Sequence, residues 1–206
     1  MPARYAAAVP ERPPLRQRKR QRAREQIVEA AYALFAERGF GDVTVADIAE
    51  RAEVGRTTFF RYFGDKQEVA FSDEQRIVER LTELHRALPP VDDLAGALAQ
   101  IREVVVLLCG ELAADGEHYR AHERLVRENP ELRDRAARKF HLLCEVFRDN
   151  MLARGAPREV AVLAPQLALA CYRAGQELSD GDPAALTGAV DSAFAQVSES
   201  FRSEVT

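Results

Sequence analysis

The chain of 206 residues is poor in several features, and each shortage excludes a class of protein. It has no tryptophan. Apolar and polar residues nowhere alternate with the period of two that indicates a strand, so no sheet is expected. Its three cysteines, Cys109, Cys144 and Cys171, are widely spaced in apolar sequence, which indicates neither a disulfide framework nor a metal site. No apolar run has the length of a membrane span, and no signal peptide is evident. We therefore expect a cytoplasmic protein that makes no membrane contact.

The charge of the chain is unevenly distributed. A net charge of −4 would argue against a nucleic-acid partner if it were spread evenly. Residues 16–66, however, contain 11 basic and 8 acidic residues, whereas residues 67–206 contain 16 basic and 24 acidic residues. The run RQRKRQRAR at 16–24 has no acidic residue before Glu25. Such a cluster binds a duplex by releasing counterions from its phosphates, so the sequence favours DNA binding at this end.

Residues 16–66 have the pattern of three helices after a tail, residues 1–15, that contains four prolines and is expected to be flexible. The first helix has one apolar stripe and ends at Gly39. The second begins after Thr44, which is expected to form a capping box with Asp47. The third runs from Arg56 to Phe63, with Phe59 spaced for burial beside Phe63. Two short helices separated by a tight turn indicate a helix-turn-helix.

Residues 67–206 are also expected to be helical. We expect one long helix from Asp65 to Leu88, followed by helices at about 92–114, 118–128, 131–154, 157–178 and 183–203. The segments VVVLLC (104–109) and VAVLAPQLALACY (160–172) are apolar nearly all round, which indicates burial by a core, a ligand cavity or a partner subunit.

The run VEAAYALFAERGFGDVTVADIAERAEVGRTTFFRYFGDKQEV resembles the N-terminal domain of the TetR family of bacterial transcriptional regulators. Three pieces carry the resemblance: ALFAERGF, TVADIAERA and VGRTTFFRYFGDK. The resemblance implies an all-α protein of about nine helices, with a three-helix DNA-binding domain at 16–66 and a larger effector-binding and dimerisation domain at 67–206. It implies a homodimer that binds a palindromic operator in double-stranded DNA and that a small-molecule effector releases.

The resemblance also assigns roles to side chains of the N-terminal domain. Thr44, Tyr62 and Lys66 are expected to contact phosphates, and the outward residues of the third helix are expected to contact bases or backbone. Together with two residues of the basic run, the expected DNA-binding residues are Arg18, Arg20, Thr44, Arg56, Thr57, Thr58, Phe60, Arg61, Tyr62 and Lys66.

Two positions depart from the family pattern. Glu53 stands where family members often have glycine, so either the turn carries a backbone cost or it does not require a positive φ. Phe60 stands where they usually have tyrosine, so its ring is expected to pack against a sugar or a thymine methyl group.

The larger domain carries less specific signals. RLVRENPELRDR (124–135) resembles a family subgroup described as binding acyl-CoA-like ligands, although helix capping at Asn129-Pro130 also explains it. Apolar helix faces give the candidate effector-pocket residues Cys109, His141, Cys144, Phe147 and Tyr172. Two apolar stripes give the candidate dimer-interface residues Leu167, Cys171, Ala174, Leu178, Leu186, Val190, Phe194, Val197 and Phe201.

Two other functions compete with a ligand-responsive repressor. One is an enzyme or small-molecule carrier with an incidental basic end, against which we find no nucleophile–base pair and no phosphate loop. His118 and His122 have the i, i+4 spacing of metal ligands but no third ligand, so we expect surface residues, no metal and no cofactor. The other is an architectural DNA binder, whose affinity would depend on salt and not on sequence.

Overall fold

The computed structural model of the protein describes residues 15–203, and it describes the side chains of residues 18–200. Ten helices and no strand occur in this part of the chain, which confirms the all-α prediction with one helix more than expected. The chain divides into two compact units between Ala70 and Phe71, slightly beyond the boundary expected after Lys66. The tail expected at 1–15 lies, apart from Leu15, outside the described residues.

The first unit contains four helices around one apolar core. They are α1 (Leu15–Arg38), α2 (Val45–Arg51), α3 (Arg56–Tyr62) and α4 (Lys66–Ala70). Gly39 ends α1 at φ +81°, a conformation that glycine adopts at little cost. The core side chains that are almost fully buried are Ile27, Ala31, Leu34, Phe40, Val43, Ile48, Phe59 and Val69.

The turn between α2 and α3 carries a backbone cost. Its residue Glu53 has φ +53°, in the left-handed region. The Val54 N–H donates to the Ala49 carbonyl at 2.9 Å and the Glu53 N–H donates to the Glu50 carbonyl at 3.0 Å, which together form a Schellman motif. The sequence left open whether this turn carries a backbone cost or does not require a positive φ. The positive φ of Glu53 shows that it carries the cost. A non-glycine residue in this conformation costs roughly 1–2 kcal/mol.

The long helix expected from Asp65 to Leu88 is wrong. Residues 71–73 form a turn that separates α4 from α5 (Glu74–Arg86). Ser72 and Asp73 have side chains that compete with helical backbone hydrogen bonds, and Asp73 becomes the N-cap residue of α5. The chain therefore has two short helices in this region.

The second unit contains α5 and the five helices that follow it. Their bounds lie within two residues of the sequence expectations: α6 (Leu94–Ala113), α7 (Gly116–Glu128), α8 (Pro130–Ala153), α9 (Arg158–Leu178) and α10 (Pro183–Ser203). The side chain of Asp93 accepts from the Gly96 N–H at 2.7 Å and so caps α6. No helix in the described part of the chain combines the length and apolar character needed to cross a membrane.

A close approach of two helices organises the core of the second unit. A Cβ atom at Gly175 of α9 would lie 2.6 Å from the Cα of Val190 in α10, so only glycine allows this contact. Leu186 and Phe194 of α10 are 0% and 1% exposed beside it. The α9–α10 pair therefore forms one wall of an apolar core to which α6 also contributes.

Candidate functional site

The outward face of α3 is polar, basic and free of acidic residues. Arg56, Thr57 and Arg61 are exposed, and Phe60 is 51% exposed. On the opposite face Phe59 is 0% exposed, so it fixes which face points outward. The helix contains no Asp or Glu that would repel a phosphate. This face has the composition that a major groove accepts.

Two further α3 residues lie at the margin of that face. Thr58 and Tyr62 are half-buried, and the Arg61 guanidinium lies 5.2 Å from the centre of the Tyr62 ring. This contact keeps Arg61 and Tyr62 together on the helix surface. Arg18 and Arg20 are exposed on the N-terminal part of α1.

Thr44 caps α2 as expected. Its hydroxyl accepts from the Asp47 N–H at 3.2 Å and donates to the Asp47 carboxylate, and its own N–H donates to the same carboxylate at 2.8 Å. These hydrogen bonds lower the pKa of Asp47. Both donors of Thr44 are therefore in use, and the phosphate contact expected of its side chain requires the hydroxyl to release Asp47.

Lys66 does not face outward, which corrects its expected role as a phosphate contact. Its ammonium donates to the carbonyls of Phe40, Gly41 and Val43 at 2.6, 3.2 and 3.0 Å, and it lies 4.4 Å from the centre of the Phe40 ring. An ammonium has three donors, so none is left for a phosphate. Lys66 instead fastens the start of α4 to the loop between α1 and α2.

The other end of α4 is also fastened to the first unit. The Tyr32 hydroxyl, on α1, donates to the Ala70 carbonyl at 3.0 Å. Both ends of this short helix are thus held by side-chain hydrogen bonds, which no sequence pattern had indicated.

An ion pair braces α1 against α2. The Arg51 guanidinium donates to both carboxylate oxygens of Glu37, at 2.8 and 3.1 Å, and these hydrogen bonds lower the pKa of Glu37. Arg38 lies 3.5 Å from the Asp47 carboxylate. The orientation of the helix-turn-helix within the first unit is therefore held by polar contacts as well as by the core.

The second unit contains a cavity of about 360 Å³ among α5, α6, α7, α8 and α9. One part of its wall is apolar, with Ile77, Leu81 and Leu108 among the side chains that line it. Such a volume and lining are typical of a site for a small organic molecule.

Four of the five candidate pocket residues line this cavity. They are Cys109, Cys144, Phe147 and Tyr172. His141 does not, because its side chain is 72% exposed and lies 3.8 Å from the Glu145 carboxylate, so its assignment to the pocket is wrong. Burial raises the pKa of Cys109 to about 12, so this thiol is not a reactive nucleophile.

The cavity also has a polar region that the sequence did not indicate. Tyr119 is 5% exposed, and its hydroxyl has no hydrogen-bond partner in the described part of the chain. Glu123, one helical turn away, accepts from the Gln176 amide at 3.1 Å, and burial raises the pKa of Glu123. Burial also raises the pKa of Tyr172 well above its usual value. One buried tyrosine, one half-buried tyrosine and a half-buried carboxyl group thus line the same cavity.

The expectation that His122 is a surface residue is wrong. Its ring lines the cavity and lies edge-on to Phe71 at 5.2 Å between centres. Among the described residues, no three His, Cys, Asp or Glu side chains are grouped to hold a metal ion.

Most of the expected dimer stripe is buried within the subunit. Cys171, Leu186, Val190 and Phe194 are at most 2% exposed and belong to the core, so their assignment to an interface is wrong. Leu167, Ala174 and Val197 are half-buried, Leu178 is 72% exposed, and the side chain of Phe201 lies outside the described residues. The exposed large apolar side chains of α9 are Leu178 and two residues outside the expected stripe, Val162 and Leu163.

The segment 124–135 spans the end of α7 and the start of α8. The Asn129 amide donates to the Leu125 carbonyl at 2.7 Å, and Pro130 is the first residue of α8. These are helix-boundary roles, so they account for Asn129-Pro130 without a ligand. The assignment to an acyl-CoA-binding subgroup stays a prediction.

Comparison with known proteins identifies the N-terminal part of the chain. Residues 27–72 match the family model described as bacterial regulatory proteins, tetR family. The regulator TcmR of Streptomyces glaucescens is 37% identical over 134 residues, which is 61% of this chain and 57% of TcmR. TtgR of Pseudomonas putida is 32% identical over 146 residues, which is 69% of this chain and 60% of TtgR. The chain thus spans less than two thirds of the length of these relatives.

Solved structures share the fold over more of the chain. The SmeT–triclosan complex is similar with a TM-score of 0.58 at 20% identity, covering 84% of this chain and 90% of SmeT. FadR of Bacillus subtilis, in complex with stearoyl-CoA, is similar with a TM-score of 0.51 at 20% identity, covering 82% of this chain and 96% of FadR. By the match of residues 27–72, the N-terminal domain of the chain belongs to the tetR family of bacterial regulatory proteins.

Proposed function

We propose that the protein is a ligand-responsive regulator of transcription, a repressor that a small-molecule effector releases from a palindromic operator. The observation that carries this proposal is the outward face of α3, which is basic and acid-free, in a chain whose other unit contains an apolar cavity. The first feature is suited to duplex DNA and the second to a small organic ligand. A DNA target places the protein in the cytoplasm.

The proposed contacts divide between bases and phosphates. Arg56, Thr57 and Arg61 enter the major groove, where guanidinium groups recognise guanine edges and hydroxyls recognise several bases. Phe60 supplies an exposed apolar ring for a thymine methyl group or a sugar. Thr58 and Tyr62 lie close enough to the margin of the face to contact the backbone, and Arg18 and Arg20 add phosphate contacts whose strength falls with salt.

The effector acts through differential affinity. A ligand shifts the protein from its DNA-binding state only to the extent that the ligand binds the other state more tightly. A coupling of about 1–3 kcal/mol is typical of allosteric proteins and changes operator affinity roughly 5- to 150-fold. Known relatives support this scheme, because TcmR and TtgR are named transcriptional regulators and SmeT was solved with triclosan.

We further propose that the protein acts as a homodimer. Two reading helices that enter successive major grooves of a palindrome must lie about 34 Å apart, which one subunit cannot achieve. The exposed side chains Val162, Leu163 and Leu178 of α9 supply apolar surface for a twofold interface.

Selection of bound sequences from random duplex DNA tests this function. We expect a palindromic sequence to be enriched and to bind at least 1,000-fold more tightly than random duplex at the same salt concentration, the lower end of the usual specificity range. The double variant Thr57→Ala, Arg61→Ala is expected to abolish that preference. Arg138→Ala, which removes an exposed arginine of α8, is the matched control and should bind normally.

Three results would reject the proposal. Binding that depends on salt but not on sequence would indicate an architectural DNA binder. Specific binding retained by the double variant would reject α3 as the reading helix. Turnover of a small molecule without any effect on DNA affinity would favour an enzyme or carrier.

A further inference from the structure

We infer that Phe60 recognises the C5-methyl group of a pyrimidine in the operator, so that affinity depends on this methyl group in thymine and on methylation of cytosine at the same position. This inference rests on the proposed function, because it names the feature of the DNA that one side chain of α3 selects. It follows from the exposure of the Phe60 ring, from its orientation and from the residues that share its face of the helix.

Phe60 is an exception in the first unit. Among the side chains of that unit that the structure describes, it is the one large apolar side chain that is exposed, with 51% of its surface accessible. The ring next to it in the chain, Phe59, is 0% exposed. Contact between an apolar ring and another apolar group is favourable, because it removes both surfaces from water. The Phe60 ring therefore gains most from a partner that offers apolar surface.

The buried ring of Phe59 holds the Phe60 ring in position. The two rings lie edge-on, with 5.5 Å between their centres and an angle of 84° between their planes. Edge-to-face contacts of this kind stabilise one arrangement of an aromatic pair. The Phe60 ring is therefore held in one orientation before DNA binds, which reduces the entropy that binding costs.

Phe60 lies on the face of α3 that is proposed to enter the major groove. Its neighbours one turn earlier, at i−4 and i−3, are Arg56 and Thr57, and both are exposed. Thr58 and Tyr62, the proposed backbone contacts, lie two residues from Phe60 on either side, and residues with this spacing do not face each other on a helix. The ring is thus grouped with the proposed base contacts and not with the proposed backbone contacts.

The chemistry of the ring selects among the groups that DNA presents. A phenyl ring has no hydrogen-bonding atom and its face is negative, so a phosphate offers it no attraction. In the major groove every base presents hydrogen-bond donors or acceptors, and thymine also presents an apolar C5-methyl group. A methyl group on the same carbon of cytosine offers the same surface. Deoxyribose is partly apolar as well, but contact with the sugar carries no sequence information.

Operators that differ by one methyl group test the inference. The palindrome is first obtained by selection from random duplex DNA with the purified full-length protein, and each thymine is then replaced by uracil, which keeps every hydrogen bond and lacks the C5-methyl group. Fluorescence anisotropy is expected to show one thymine in each half-site at which uracil weakens binding about fourfold, the effect of one buried methyl-sized group. Cytosine at that position should bind more tightly when it is methylated at C5.

Three variants assign the discrimination to one side chain. Phe60→Ala is expected to bind the thymine and uracil operators equally well at that position, and circular dichroism will verify that it folds. Phe60→Leu keeps an apolar side chain and should retain a preference for the methyl group. Thr57→Ser is the matched control, because it removes a neighbouring exposed methyl group and keeps the hydroxyl. It should leave the ratio of the two affinities unchanged at the position that Phe60 recognises.

The inference is overturned if uracil replaces every thymine of the operator without loss of affinity, or if the operator contains no thymine. It is equally overturned if Phe60→Ala keeps the preference for thymine over uracil, or if Thr57→Ser removes it. Equal weakening of every duplex by Phe60→Ala would indicate a contact with deoxyribose and would also reject the inference. An enriched palindrome that is insensitive to methyl groups would leave the proposed function intact, whereas enrichment of no sequence would reject both.

Discussion

The guanidinium of Arg154 donates a hydrogen bond to Nε2 of His85 at 2.9 Å. Since an arginine only donates, Nε2 is the acceptor and the ring proton lies on Nδ1, which has no partner among the described residues. The same guanidinium donates to the carbonyls of Leu88 and Pro89 at 2.8 and 3.1 Å. One half-buried arginine side chain thus holds the end of α5 against the end of α8, and it requires a neutral histidine.

This pair makes the stability of the protein depend on pH. Burial, and then the charge of Arg154, lower the pKa of His85 from 6.5 to about 4. A lowered pKa means that the folded state resists protonation, so the stabilisation is complete above pH 6.5 and is lost as the pH falls towards 4. The loss has an upper limit of roughly 3.5 kcal/mol, from about 1.4 kcal/mol for each pH unit.

The measurement is the free energy of urea unfolding between pH 7 and pH 5. His85→Gln keeps an acceptor for Arg154 but does not titrate, so we expect its stability to change less over this range than that of the wild type. Burial raises the pKa of Glu123, so its protonation stabilises the folded state as the pH falls, in the wild type and in the variant alike. The difference between the two pH profiles of unfolding free energy therefore reports on His85. Parallel pH profiles would contradict the assignment.

Replacement of Lys66 should destabilise the first unit. Lys66→Met retains much of the side-chain volume but removes three hydrogen bonds to carbonyls. Hydrogen bonds to charged groups contribute about 1.5–3 kcal/mol each, and because these share one ammonium we expect a total loss of about 2–4 kcal/mol. Thermal unfolding measures it, with Arg61→Ala as an exposed control of unchanged stability. If Lys66→Met lost DNA affinity while keeping its unfolding temperature, the phosphate contact first expected of Lys66 would be restored.

Replacement of Glu53 should stabilise the turn between α2 and α3. Glu53→Gly relieves the cost of a positive φ and loses part of that gain to the greater entropy of unfolded glycine, for a net gain of up to about 1 kcal/mol. The matched control is Glu50→Gly, three residues earlier in α2, which should cost about 1 kcal/mol. Chemical denaturation of both variants gives the comparison, and a loss of stability in Glu53→Gly would show that the left-handed residue imposes no cost.

Replacement of Gly175 should disrupt the α9–α10 contact. The methyl group of Gly175→Ala would meet the backbone of Val190, which cannot move aside without shifting a helix, so we expect a loss of about 1–3 kcal/mol. Gly110→Ala places the same methyl group on α6 in open space and should gain about 0.5–1 kcal/mol. Differential scanning calorimetry distinguishes the two, and equal unfolding temperatures would show that the helices separate at little cost.

Helix boundaries could be predicted from sequence because local residues determine them. Thr44, Asp93 and Pro130 act within one turn of their own positions, and each occurs where a helix begins. Ser72 and Asp73 are weak helix breakers and the apolar spacing continues across them, so the sequence predicts one helix where the structure has α4 and α5. The local signal for a break at these two residues is therefore weaker than the periodic signal for a continuous helix.

The sequence predictions fail at the dimer stripe and at Lys66 for a common physical reason. Periodicity shows that Leu186, Val190 and Phe194 face something apolar, but not whether that surface belongs to the same subunit or to another. Side chains that depend on distant partners, such as Lys66 with Val43, leave no periodic pattern. The aromatic pair Phe59 and Phe63 was predicted correctly as buried because its spacing alone decides it.

The double fastening of α4 has a mechanical consequence. The Lys66 ammonium holds one end of α4, and the Tyr32 hydroxyl holds Ala70 at the other end. The helix therefore cannot move along its axis unless the loop ahead of α2 and the middle of α1 move with it. A displacement of α4 would thus displace the loop ahead of α2 and α1 at the same time. Removal of the hydrogen bonds of either Lys66 or Tyr32 should let α4 move by itself, and a displacement of α4 would then no longer be transmitted to α3.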